Sequence, residues 1–267
     1  MATDVSNELD RADNVGRIVD SLDSRRVLLG ALGLVGFVGL WWAGSTAQPE
    51  YILPSPLAVG LAAQSELASG TMQAALFNSV LHWLPGTVVG TTLGIATGVA
   101  LGWSRFLDEA LTPIVRVLRP VPPLALIGFA IAWFGIGHAG AAFIIAIGAF
   151  WINFYAAYGG VEGVSEDLLD VARSLGVQRQ LGLIRTVVLP ASLPEITTGI
   201  RTGIGRCWML VVAAEIFGAP GIGRQIFRAS NSLQVDRVIA YILVLSVMFL
   251  LVDTAFRVVQ RRVLAWR

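Results

Sequence analysis

Long apolar runs alternate with short polar intervals along this chain. Six runs approach the roughly 20 residues that a helix needs to cross a bilayer. They occupy residues 27–43, 80–103, 114–136, 139–158, 196–218 and 238–256. Pro120, Pro122 and Pro123 fall inside the third run and predict that its first part is bent or unwound. The prolines of YILPSP, between the first two runs, likewise rule out a regular helix locally. The longest polar interruption, residues 160–195, reads GVEGVSEDLLDVARSLGVQRQLGLIRTVVLPASLPE. A helix from Ser165 to Leu175 places Leu168, Leu169, Ala172 and Leu175 near one face and Glu166, Asp170 and Arg173 towards the other. Gly176 closes it as a C-cap. A short amphipathic helix stopped by a glycine makes a compact knob beside the bilayer, suited to docking. The pattern as a whole predicts an all-α membrane protein with about six transmembrane helices and this knob between spans four and five.

Composition narrows the function. Of 267 residues, 55% are hydrophobic and 14% charged, and the net charge of +1 points away from a nucleic-acid partner. All 19 basic residues are Arg. Without Lys, neither a phosphate-binding GxxxxGK[ST] loop nor a Schiff-base lysine is possible, so any ATP must bind another subunit. Cys207 is the sole cysteine, which excludes a disulfide framework or a cysteine metal cage. His82 and His138 are far apart and form no ligand spacing, and no GxSxG elbow is present. No metal, cofactor or catalytic residue is therefore expected, and the chain does not read as an enzyme.

Residues 1–24 carry six acids and two arginines and read as an acidic cytoplasmic tail ahead of a transmembrane domain, 25–267. Arg25-Arg26 before the first run and Ala43-Gly44-Ser45 after it have the look of a signal peptide. The acidic leader and the five later runs favour a retained span. Threading six spans places fourteen arginines on one side: Arg11, Arg17, Arg25, Arg26, Arg105, Arg116, Arg119, Arg173, Arg179, Arg185, Arg257, Arg261, Arg262 and Arg267. Only Arg224, Arg228 and Arg237 lie on the other side, with Arg201 and Arg206 inside the fifth run. The positive-inside rule puts both termini and the knob in the cytoplasm.

Three features inside the runs stand out. Gly86, Gly90, Gly94, Gly98 and Gly102 recur every four residues, a stripe that lets a neighbouring helix approach closely. Arg201 and Asp253 sit at similar depths in the fifth and sixth runs, which makes them a candidate ion pair. Arg206 lies about 7 Å deeper than Arg201. Glu215 follows nine residues later, on the opposite side of the helix, so the two cannot neutralise each other. Both are candidate pathway residues. Ion-coupled secondary transport, the alternative class along with a channel, would use intramembrane acids in repeated halves. The spans offer mainly Glu215 and Asp253, and no convincing internal repeat.

The knob resembles the EAA loop of ABC-importer permeases: Glu-Ala-Ala, three residues, Gly, about nine residues, then Leu-Pro. Asp170, Val171 and Ala172 stand for the Glu-Ala-Ala, and Gly176, Leu189 and Pro190 match directly. The interval from Gly176 to Leu189-Pro190 is one residue longer than the usual pattern. YILPSPLAV, HWLPGTVVGTTLGIATGVALGWS, LTPIVRVLRPVPPLALIGFAIAWFGIG and GIGRCWMLVVAAEIFGAPGIG extend the likeness over roughly residues 50–225, and they look like the nitrate/sulfonate/taurine-type branch. The resemblance implies a transmembrane permease in the cell membrane, a homodimer around one pathway. Its partners would be two separate ABC ATPase subunits gripped through the loop and an extracytoplasmic substrate-binding protein. Arg206 would then appear twice, a positive constriction suited to small anions.

Overall fold

The computed structural model describes Arg25 and residues 28–263, and the expectation for the acidic tail lies outside them. Two compact units divide at Leu61 and Ala62. In the first, α1 (Leu28–Thr46) is long and apolar enough to cross a membrane. Trp41 Nε1 donates to the Pro54 carbonyl at 3.0 Å, which ties down the proline-rich link. That link ends as a helix start. Ser55 Oγ accepts from the Ala58 N–H at 3.2 Å, and Pro56 opens α2 (Pro56–Ala68) at the one position where its missing N–H costs nothing.

The second unit is built around α3 (Thr71–Trp103) and α6 (His138–Glu162). The glycine stripe of α3 lies on the α6 backbone. A Cβ at Gly86 would stand 2.6 Å from the Ala142 carbonyl oxygen, and one at Gly94 2.5 Å from that of Phe150. Gly90 and Gly98 meet Ala146 and Phe154 in the same way, and Gly102 meets Tyr158. Each contact joins a residue to one a fixed distance further along the chain. The two helices therefore run parallel and stay in register over the whole stripe. Only glycine permits so close an approach, which exchanges side-chain volume for backbone dispersion contacts.

The third predicted span, 114–136, is not one helix. α4 (Arg105–Leu118) and a segment of 3₁₀ turn (Pro123–Leu126) plus α5 (Ile127–Phe134) meet at 85°. Pro120, Pro122 and Pro123 remove three of four successive backbone N–H donors at the corner. By length and apolar content α1, α3, α6 and α11 (Val235–Val263), which follows the short α10 (Ile222–Asn231), qualify as spans, and the bent pair makes a fifth. The fifth predicted run forms α9 (Leu189–Ile216), long enough to cross but diluted by Pro190, Pro194, Arg201 and Arg206. α9 packs on α6 where a Cβ at Gly199 or Gly203 would strike Ala156 or Asn153. Trp83, Ile145, Ala149, Cys207, Trp208 and Val211 fill the space between α3, α6 and α9, with Trp83 and Trp208 edge to face at 5.2 Å.

Candidate functional site

The knob is α7 (Glu166–Ser174), followed by α8 (Gln180–Leu183). Glu166 and Asp167 sit at its positive N-terminal end and Arg173 at its negative end, the favourable way round. Gly176 has φ +95°, the left-handed conformation that ends the helix. The Gly176 N–H donates to the Arg173 carbonyl and the Val177 N–H to the Ala172 carbonyl, both at 3.0 Å: the two bonds of a Schellman motif. The expected apolar face divides in two. Ala172 is buried and Leu169 half-buried, whereas Leu168 and Leu175 are 51% and 80% exposed, as is the neighbouring Val171 at 58%. Asp170 is held by Arg173 at 2.7 Å. Of the residues that match the loop pattern, Ala172 thus points inward and Val171 outward, and Leu168 and Leu175 extend the exposed apolar rim.

Between α8 and α9 the chain makes a π turn, Ile184–Val188. A π turn closes on the fifth residue rather than the fourth and so holds one residue more than an α turn. The long interval before Leu189-Pro190 is absorbed there, and Pro190 enters the first turn of α9, where proline is tolerated.

α9 has two unlike faces. Gly199, Gly203, Cys207, Trp208 and Val211 point inward, while Thr198, Thr202 and Arg206 are exposed. Thr198 and Thr202 border a cavity of about 620 Å³ shared with Ile152, Tyr155 and Gly159 of α6. Arg206 lines a second cavity of about 270 Å³ beneath the bend, together with Arg119, Trp151, Ile152 and Leu210. Arg206 forms no ion pair among the described residues. Arg201 does: its Nε lies 3.1 Å from Asp253 Oδ1, and Arg257 holds the other oxygen of Asp253.

Glu215, expected as a second pathway residue, is enclosed instead. Its side chain is fully buried: Oε1 lies 2.8 Å from His82 Nε2, and Oε2 accepts from the Gly223 N–H. His82 Nδ1 lies 3.1 Å from His138 Nδ1. The two histidines that looked isolated in sequence form, with Glu215, one hydrogen-bonded chain joining α3, α6 and the α9 end. Gly221 leaves no room beside it, since a Cβ there would fall on the carboxylate.

The sequence family described as "Binding-protein-dependent transport system inner membrane component" matches residues 90–265. The chain belongs to this family. It is 33% identical to the taurine transport system permease protein TauC of Escherichia coli over 91% of each chain. The putative aliphatic sulfonates transport permease protein SsuC of Bacillus subtilis is also 33% identical, over 81% of this chain and 78% of that one. The nitrate import permease protein NrtB of Synechocystis is 35% identical over 67% of this chain and 65% of its own. Among solved structures, an inward-facing MetNI methionine ABC transporter shares the fold, with a TM-score of 0.65 at 18% identity over 74% of this chain and 98% of that chain.

For this inner membrane component, the sequence signal that was overlooked is the start of the stripe. His82 stands four residues before Gly86, and His138 four before Ala142, so the histidine pair has the same offset of 56 as the glycine contacts. Where the other steps bring glycine to backbone, this step brings ring to ring.

Proposed function

We propose that the chain is the permease subunit of an ATP-driven importer and passes a small anion delivered by an external binding protein. The observation that carries this reading is α7: a helix fixed by its glycine stop that presents Leu168, Val171 and Leu175 with none of the described residues over them. Such a rim fits a groove on a separate ATPase, and the absence of Lys, which rules out a P-loop, supports ATP binding on that other subunit. Arginine placement supports a cell-membrane protein with both termini and α7 in the cytoplasm. The polar face of α9 supports a homodimer. Arg206 and its neighbouring threonines are costly against lipid, and a second copy would enclose them in a wet pathway. The names of the relatives above, taurine, sulfonate and nitrate permeases, support a small oxyanion as cargo.

The test is uptake by proteoliposomes holding the permease, its ATPase and its binding protein. Gly176→Val forces a branched side chain into the left-handed region, and Asp170→Arg reverses the charge beside the rim. Each is expected to abolish uptake while the protein still inserts and purifies normally. Wild-type uptake by both variants sinks the coupling assignment.

A further inference from the structure

The cavity beneath the bend contains two cations and no acid. Arg119 lies where α4 gives way to the proline corner, Arg206 stands on α9, and the remaining walls are apolar or proline. Neither guanidinium has a carboxylate partner among the described residues. Arg119 instead lies 4.4 Å from the centroid of the Tyr155 ring. Stacking on an aromatic face orients a guanidinium and leaves its edge N–H donors unspent. Two charges left unmatched around one cavity favour a ligand that brings the opposite sign.

We infer that this cavity is an anion subsite of the pathway, in which Arg119 and Arg206 together grip the head group of a small oxyanion and Trp151, Ile152 and Leu210 receive its short apolar body. The inference rests on the reading of the α9 face as pathway, and it makes the permease itself a selector, beyond the binding protein. Planar guanidinium forks match the paired oxygens of nitrate, sulfonate or carboxylate groups. At about 270 Å³ the space holds such an anion with several waters. Gly148 keeps it open: a Cβ there would stand 2.9 Å from Leu210 Cδ2, between Leu210 and Pro123.

The probe is trifluoromethanesulfonate, followed by fluorine NMR line broadening on the full chain in lipid nanodiscs. Methyl trifluoromethyl sulfone serves as the uncharged comparator. Saturable triflate binding is expected, displaced by nitrate and by ethanesulfonate, with none for the sulfone. Arg206→Gln and Arg119→Gln should each weaken it by about tenfold, equivalent to about 1.4 kcal/mol. Arg206→Lys keeps the charge and should stay within about threefold of wild type on the same scale. Gly148→Val keeps both arginines but fills the space, and should also weaken binding. Equal binding of triflate and sulfone, or undiminished triflate binding in both glutamine variants, overturns the subsite. Proteoliposome uptake separates this from the importer reading. ATP-driven uptake indifferent to both glutamine substitutions removes the subsite and leaves the importer. Arginine-dependent triflate binding with no ATP-driven uptake does the reverse.

Discussion

Glu215 and Arg206 share one helix, nine residues apart, and meet opposite surroundings. That separation turns them to opposite sides of α9. Glu215 faces α3 and α6, where both its oxygens are taken and no water reaches it. Arg206 faces the open side, lines a cavity and has no carboxylate partner among the described residues. Two charged residues on one helix therefore do different work. A charge whose every hydrogen-bonding group is matched within the chain is architecture, holding α3, α6 and the α9 end together at their His82–His138 corner. An unmatched charge on a wet face is available to a ligand.

The sharpest way to break this contrast is to remove Glu215. Glu215→Ala leaves His82 Nε2 and the Gly223 N–H buried without partners, which is expected to cost about 3–5 kcal/mol and most of the folded yield. Glu215→Gln keeps the shape and an acceptor and should cost only about 1–3 kcal/mol. Arg206→Gln, by contrast, should leave stability within about 0.5 kcal/mol of wild type, as a substitution away from packed features does. Thermal melts of the three variants in nanodiscs read the difference directly. Equal melting of Glu215→Ala and wild type would show that the buried chain is incidental.

Next in size is the seam that brings the histidines together. Gly94→Leu drives a side chain against the Phe150 carbonyl, 2.5 Å from where its Cβ would sit, and should destabilise by about 1–3 kcal/mol. Gly128 of α5 has no neighbouring atom within 4 Å of such a Cβ, so Gly128→Ala should change little. If both glycine variants melt alike, close approach is not what fixes the register of α3 on α6.

The difference between local and distant information explains what could be read in advance. α7 and its Gly176 stop were legible because a Schellman motif lies within a few residues of chain. The glycine stripe was legible as an interface, but its partner was not, since nothing in α3 names α6. The Glu215–His82 contact spans 133 residues, and its three members give no spacing signal of their own. Prolines announced a break in the third run without giving its 85° angle, which depends on how α4 and α5 pack. Pro190 and Pro194 hid the first turns of α9: they read as loop, yet Pro190 falls in the first turn and the π turn before it delivers the chain in helical form.

Among the substitutions expected to destabilise, the smallest effect falls at Arg201, which stands between the two extremes. Its Nε is 3.1 Å from Asp253, so it is matched like Glu215, but it borders a cavity shared with Arg206, so it is wet. Water screens such a pair and little stability is at stake. Arg201→Glu should therefore lower the melting temperature by less than Glu215→Ala, Glu215→Gln or Gly94→Leu. Asp253→Arg in that background should rescue only part of the loss, and the reason is Arg257. It already holds the other oxygen of Asp253 from one turn along α11, so an arginine introduced at 253 restores one contact and creates one repulsion. Adding Arg257→Glu should complete the rescue, because all three charges are then inverted together. Full rescue by the double variant alone would mean that Arg257 is a bystander. No rescue even in the triple variant would mean that Arg201 acts on the pathway, as Arg206 does, rather than on Asp253.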